Sequence, residues 1–380
     1  MQFKYDPADR KPRTFAYIFI QPYLNSSHYR TLLEVAVVAP IIQSWTRRGF
    51  LGRLTAASAV GLLGLRPEIA AAEPPPETTS INIVFDPDIP ILCYGPQYVA
   101  TEMLRIEGFT DISYTPFIDA GLNDAKVVAV GNADISASWV GDLITIANSG
   151  GPVVGLSGMH IGCTEVFAHE GIKSFRDLKG KKIALFAEES AEKTWFTIMF
   201  SYIGLDPEQD IEWVIHPYEE WGELLSAGKV DAVMLWPPDA QVFREENIGH
   251  VILNTSTDRP WKDYFCCVIT GNREFVQKHP VATKRALRAM LKATDLCALE
   301  PELAARTVIE NGFPTEYERA LQVFREIPYA QWREYDPEDT LRFYALRMHR
   351  LGLIERSPEE LVTRISDWRF LNQLKKELKV

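Results

Sequence analysis

The chain has 380 residues, 40 of them Lys or Arg and 51 Asp or Glu, for a formal net charge of −11. Nine of the basic and four of the acidic residues fall in 1–72, so residues 73–380 hold 31 against 47, a net charge of −16. That balance lacks the basic footprint of a nucleic-acid binder and argues against attachment to anionic lipid. Residues 73–380 also exceed the usual single core, which calls for two lobes.

Residues 1–45 carry the apolar runs TFAYIFIQPYL and TLLEVAVVAPII, both short of the roughly 20 apolar residues that span a bilayer. TRRGFL follows at 46–51, and Thr46, Arg47, Arg48, Gly49, Phe50 and Leu51 match the twin-arginine export pattern. A diluted apolar run, Leu54–Leu65, then leads to Ala70, Ala71 and Ala72, and cleavage is expected after Ala72. Signals normally begin close to the chain start, and no Met stands between Met1 and Met103. We therefore expect the translation start near residue 40, at a non-Met codon, and an extracytoplasmic location.

The proline-rich stretch 73–80 reads as a linker. Beyond it, short apolar runs alternate with helical patterns: INIVFD, Tyr98 to Glu107, DISYTPF, Gly121 to Ala129, DISASWV, Leu143 to Ser149 and VVGLSGM. KKIALF, a helix from about Ala191 to Ile203, IEWVIHPY, a helix from Trp221 to Ala227, DAVMLW and HVILNT repeat the grammar. This predicts mostly parallel α/β sheets. TEVFAHE and DYFCCVITG are placed to cross between the lobes as a two-strand hinge. From Pro280 the pattern is helical, with Ala282, Leu287, Met290, Leu291 and Leu296 on one face. The expected division is 81–165 for the first part of lobe 1, 166–263 for lobe 2, and 264–380 for the return to lobe 1 with a helical C-terminal segment.

The cysteines Cys93, Cys163, Cys266, Cys267 and Cys297 are odd in number and form no disulfide framework. His160 with Cys163 and the adjacent Cys266 and Cys267 match no paired zinc spacing. Small buried residues on or beside strands are the expectation, with no metal and no cofactor. Residues 73–380 also lack a phosphate loop, a zinc-protease helix and a nucleophile elbow.

DLKGKKIALF, GLDPEQDIEWV, LLSAGKVDAVMLWPPDA and NREFVQKHPVATKRALRAMLKATDLCALEPELAA together resemble the substrate-binding proteins of the nitrate, sulfonate and taurine ABC importers. That group also contains a thiamine-pyrimidine branch. The resemblance covers about residues 80–350 and implies a type II periplasmic binding fold. It also implies a small solute held between two doubly wound lobes, delivery to a permease and an ATPase, and no catalysis. A monomer is expected.

The same resemblance places a ligand-contacting loop at Cys93, Tyr94, Gly95, Pro96 and Gln97, where Tyr94 either stacks on the ligand or packs in the core. Ser138, Trp139 and Asp142 end another strand. On lobe 2, Ser190 caps a helix or faces the cleft, Trp195 lies one turn in, and Trp236, Pro237 and Asp239 follow a strand. Cys163 and Phe265, beside the two crossings, complete the set. These loops carry Asp86, Asp88, Asp142, Glu188, Glu189 and Asp239, with Lys193 the main cation, so a neutral or partly cationic organic solute is favoured over an inorganic anion. Two alternatives stand beside this reading. One is a thiamine-pyrimidine-synthase-like enzyme, for which His160, Cys163, Cys266 and Cys267 form a thin set lacking that branch's cysteine-rich loop. The other is a ligand sensor for a membrane receptor.

Overall fold

Ten strands form two five-stranded sheets among the described residues, which are 73–85, 91–116 and 123–378 of the computed structural model. The expected export signal, the extension before it, and Asp86 and Asp88 lie outside the described residues. The first sheet contains β1 (Ser80–Val84), β2 (Asp111–Thr115), β3 (Ile135–Trp139) and β4 (Val153–Ile161), together with a strand from much later in the chain, β10 (Phe265–Asn272). Its order is β2-β1-β3-β10-β4. The second contains β5 (Glu165–Ala168), β6 (Lys181–Leu185), β7 (Ile211–Ile215), β8 (Ala232–Leu235) and β9 (His250–Asn254), in the order β7-β6-β8-β5-β9.

β1 pairs in parallel with β2 and β3, and β6 with β7 and β8, while β10 and β5 are antiparallel to both neighbours. Those two are the strands that receive the chain from the other lobe. They start at the end of the sheet where the parallel strands finish, so they run backwards through it. Each lobe is an α/β unit of the doubly wound kind, and the parallel strand ends of both look toward the crossings.

The helical stretch foreseen over Tyr98 to Glu107 starts earlier and divides into α1 (Gly95–Val99) and α2 (Thr101–Ile106). Pro96 suits a first turn, where its missing N–H is not needed. Next come α3 (Asp124–Ala129) and α4 (Val140–Asn148) on lobe 1, then α5 (Ala191–Tyr202), α6 (Trp221–Ser226) and α7 (Asp239–Glu245) on lobe 2. The C-terminal helices are α8 (Arg273–Lys278), α9 (Pro280–Leu299), α10 (Pro301–Glu310), α11 (Tyr317–Glu326), α12 (Pro337–Arg350), α13 (Pro358–Ile365) and α14 (Arg369–Glu377). No described helix is long and apolar enough to cross a membrane.

The long helix α9 buries Ala282, Ala286, Leu287, Ala289, Met290, Ala293 and Cys297, a face of mostly small residues that lets it lie close to lobe 1. Glu107, at the end of α2, accepts from Arg288 Nε at 2.9 Å and pairs with Lys292 at 3.3 Å, fixing α9 at that edge. The tail does more than pack on lobe 1. Glu326 of α11 accepts from Gln241 Nε2 at 3.0 Å and pairs with Arg244, and Arg319 pairs with Glu245 at 3.1 Å, so α11 is tied to α7 of lobe 2.

The crossings are stitched to one another. Thr255 Oγ1 accepts from the backbone N–H of Cys163 at 3.1 Å and of Thr164 at 2.9 Å, and donates to the Thr164 carbonyl at 2.9 Å. Gly162 turns here with φ +27°, and a Cβ at this position would lie 2.2 Å from the Thr255 carbonyl oxygen. Only glycine fits such a backbone approach.

Candidate functional site between the lobes

The lobes meet directly. Trp139, at the end of β3, stacks on Trp195 of α5 with ring centroids 5.4 Å apart and planes 20° from parallel. Tyr344 of α12 sets its ring edge against both, at 6.5 Å and 5.8 Å, and Trp261 does so against Trp195 at 5.6 Å. The Leu92 backbone N–H donates to the Pro237 carbonyl at 3.0 Å, joining the rim turn of lobe 1 to the loop after β8. Gly141 makes room for the stack, because a Cβ there would lie 2.3 Å from the Trp139 ring.

Around this aromatic box, Ser138 Oγ, Trp139 Nε1, Trp195 Nε1 and Tyr344 Oη are buried without a protein hydrogen-bond partner. A buried polar group left unpaired costs about 1–3 kcal/mol, so these atoms are available to hydrogen-bond a bound molecule or water.

Three carboxylates border the same region. Asp124 begins α3, Asp142 lies in the first turn of α4, and Glu192 lies in the first turn of α5. Burial pushes the Asp124 carboxyl up to about 8, with Asp142 adding to the rise and hydrogen bonds from Tyr94 and Ser136 opposing it. Asp142 is raised to about 7 by burial and by Glu192, and Glu192 is itself raised by burial. No lysine or arginine pairs with any of the three among the described residues. The group spans both lobes, since Asp124 and Asp142 belong to lobe 1 and Glu192 to lobe 2.

A second buried group adjoins the first. Ligand atoms of Cys93, His160, Cys163 and Cys267 all lie within 4.8 Å of one another. His160 and Cys267 are cross-strand partners in β4 and β10, where a register shift flanks Cys267. The shift brings the sulfurs of the adjacent Cys266 and Cys267 to 3.7 Å, and Cys163 Sγ stands 3.4 Å from Cys266 Sγ. The turn Leu92–Tyr94 supplies Cys93, and Tyr329 Oη holds it by donating to the Cys93 carbonyl at 3.1 Å. His160 Nδ1 lies 3.1 Å from the Ile161 carbonyl, which takes its N–H, while Nε2 is buried without a partner. Burial lowers the imidazole pKa, keeping the ring neutral. Hydrogen bonds with Cys163 and Cys267 outweigh burial at Cys93 and bring its thiol down to about 7.

Several residues singled out from the sequence have other employment. Gln97 donates from Nε2 to the Val84 carbonyl at 2.9 Å and accepts from the Ala137 N–H at 2.8 Å, clamping β1 to β3. Ser190 caps α5, accepting from the Lys193 N–H at 3.4 Å. Lys193, read as the main cation of these loops, pairs with Glu188 and lies 5.9 Å from the Trp213 ring, within lobe 2. Asp239 accepts from Tyr218 Oη at 2.7 Å. Phe265 lies flat over Gly158, where a Cβ would meet its ring at 2.3 Å. Tyr94, Ser138, Trp139 and Trp195 are buried, Asp142 and Trp236 are half-buried, and Pro237 provides the cross-lobe carbonyl.

Sequence reading missed Asp124, Glu192 and Tyr344. Asn123 before Asp124 is a helix-start signal, its side chain accepting from the Lys126 N–H at 2.9 Å, so Asp124 was placeable. The cysteines are all free and buried, as expected of small residues near strands, yet four of the five share one point in space. Metal-ligand spacing gave no hint of this because the donors come from three distant segments.

Two lobes of this topology joined by two crossings define the class of periplasmic binding protein folds. The chain resembles the periplasmic nitrate-binding protein NrtA of Synechocystis PCC 6803 with a TM-score of 0.67 at 15% identity, covering 81% of this chain and 91% of that one. It resembles the putative sulfonate-binding protein SsuA of Methylobacillus flagellatus with a TM-score of 0.61 at 19% identity, covering 79% and 94%. The chain belongs to the NMT1-like family, whose signature matches residues 76–310. Among curated relatives, the nitrate import ATP-binding protein NrtC of Synechocystis is 25% identical over 191 residues, and a putative binding protein of Brucella abortus 26% over 137. The matches cover 44% and 36% of this chain and only 28% and 42% of those relatives' lengths.

Proposed function

We propose that this protein is the extracytoplasmic solute-binding component of an ABC importer, and that its solute is a small organic molecule that is cationic or neutral. Family membership and the fold shared with nitrate- and sulfonate-binding proteins support the binding role. The charge assignment rests on one observation: Asp124, Asp142 and Glu192 occupy the first turns of three helices bordering the interlobe centre. Helix N-termini are natural anion sites. Here a carboxyl of the chain already stands at each, held protonated by burial, so a cation gains compensation when these groups ionise, whereas nitrate or a sulfonate gains none and would keep them protonated.

The aromatic plates of Trp139 and Trp195 suit a flat, carbon-rich body, and the orphaned Ser138, Trp139, Trp195 and Tyr344 atoms supply donors and acceptors for its polar edges. A cationic solute would bind by ionising the protonated carboxyls and releasing their protons, as the lobes close over it by hinge motion at the two crossings. Delivery to a permease and an ATPase, and export by the twin-arginine route, belong to the same reading.

Calorimetric titration of the chain with organic amines, heteroaromatic pyrimidine precursors, nitrate and an alkanesulfonate tests it. Saturable binding of an amine or heteroaromatic is expected, weakened at least tenfold in Asp142→Asn. Tight binding of nitrate or sulfonate alone would overturn the charge assignment.

A further inference from the structure

We propose that Cys93, His160, Cys163 and Cys267 form a tetrahedral site for a thiophilic d10 cation, Zn2+ or Cu+, which pins the rim turn of lobe 1 to the first crossing. The donor set is three sulfurs and one imidazole, with every donor residue buried and every ligand atom within 4.8 Å of the others. Around a cation with metal–sulfur bonds of about 2.3 Å, tetrahedral sulfurs stand about 3.8 Å apart, so the four groups need only a short inward adjustment. Soft thiolates with one imidazole select such ions over Mg2+ or Ca2+.

His160 is the independent mark of a ligand. Its Nδ1–H is committed to the Ile161 carbonyl at 3.1 Å, which fixes the tautomer and leaves the Nε2 lone pair buried without a protein partner. That is how metal-ligating histidines are normally oriented. Tyr329 supports the arrangement twice, setting its ring edge-on to His160 at 5.5 Å and donating to the Cys93 carbonyl at 3.1 Å. Cys266, the fifth participant, lies 3.4 Å from Cys163 Sγ and 3.7 Å from Cys267 Sγ, where its thiol hydrogen can support a ligating sulfur.

Binding would exchange the three thiol protons of Cys93, Cys163 and Cys267 for three metal–sulfur bonds, the protons passing to solvent, with no change of oxidation state. Cys93 belongs to the turn whose Leu92 N–H reaches Pro237, and Cys163 follows Gly162 at the crossing. An ion here would therefore fix the rim turn that touches Pro237 of lobe 2 to the lobe 1 strands beside the first crossing. The proposal does not depend on the identity of the solute or on an importer role.

The test is elemental analysis of the full chain, purified reduced from cells grown with Zn2+ and with Cu+, followed by chelator stripping and titration with Co2+. One equivalent of Zn or Cu per chain is expected. The stripped protein should take up one Co2+ with the thiolate-to-cobalt charge-transfer and intense visible bands of tetrahedral coordination. Cys267→Ser and His160→Ala should each lower affinity at least tenfold, and Cys297→Ser, outside the cluster, should leave it unchanged. Should a variant fail to fold, the wild-type protein still decides through thiol labelling: bound metal should protect three thiols that the stripped protein exposes on partial unfolding. Octahedral cobalt bands, no cobalt uptake by folded reduced protein, iron with inorganic sulfide, or a Cys163–Cys266 disulfide in freshly isolated protein would each overturn the proposal.

Discussion

Replacing Asp124 by Asn removes an ionisable group while keeping its shape and most of its hydrogen bonding. In the folded protein the Asp124 carboxyl titrates at about 8, whereas an unfolded aspartate titrates near ~3.9. The folded state therefore holds a proton that the unfolded state releases, and the associated stability falls as pH rises through the folded value. Between pH ~6.5 and ~8 the loss from this one group is about 2 kcal/mol, at about 1.4 kcal/mol per pH unit until the folded carboxyl ionises. For a chain of this size that is about 4 °C in melting temperature. Glu77, Asp177, Asp210, Glu274 and Glu302 are shifted down and lose their contribution only under more acidic conditions. His160, held neutral, acts in the opposite sense below its ordinary value of about 6.5, which is why the window starts there. The assay is calorimetric melting of wild type and Asp124→Asn across that window. The wild type should lose about 4 °C relative to the variant as pH rises, with Asn the more stable at the alkaline end. A constant difference, or a wild type that gains on the variant with pH, would refute the reasoning.

Trp195→Ala removes the lobe 2 half of the cross-lobe stack and should cost about 3–5 kcal/mol in denaturant unfolding, with the remaining tryptophan emission shifted to longer wavelength. Gly162→Ala forces a side chain against the Thr255 carbonyl and should destabilise by at least about 3 kcal/mol, whereas Gly150→Ala, with nothing within 4 Å, should cost only the smaller strain of its positive φ. Glu326→Gln weakens the tie between α11 and α7, and a larger radius of gyration in small-angle scattering without solute is the expected outcome.

Much of the architecture is legible because its signals are local. Alternating apolar runs such as KKIALF and DAVMLW mark strands, and the boundary residues Asn123 and Ser190 are caps that can be recognised by type. TEVFAHE and DYFCCVITG are legible as the places where the chain changes lobe, but as β5 and β10 they lie in different sheets and do not pair with each other, and the crossings sit just before them at 162–164 and 255–264. The site is less readable because its members are neighbours only after folding. Tyr344 reaches the Trp139–Trp195 stack from far along the chain, and Cys93 reaches Cys163 and Cys267 through a turn and a register shift. Gln97 shows the converse: a polar residue at the expected rim bonds the backbone of β1 and β3, a role its position in the sequence does not announce.

The central claim is that the lobes close on a small organic solute that is not an inorganic anion. Native mass spectrometry of the purified protein, compared with the same sample after denaturation, addresses it most directly. A small organic mass, cationic or neutral at neutral pH, is expected in the native spectrum, lost on denaturation and absent from Asp142→Asn prepared in parallel. Retention of nitrate or of a sulfonate in the native protein, undiminished in Asp142→Asn, would contradict it.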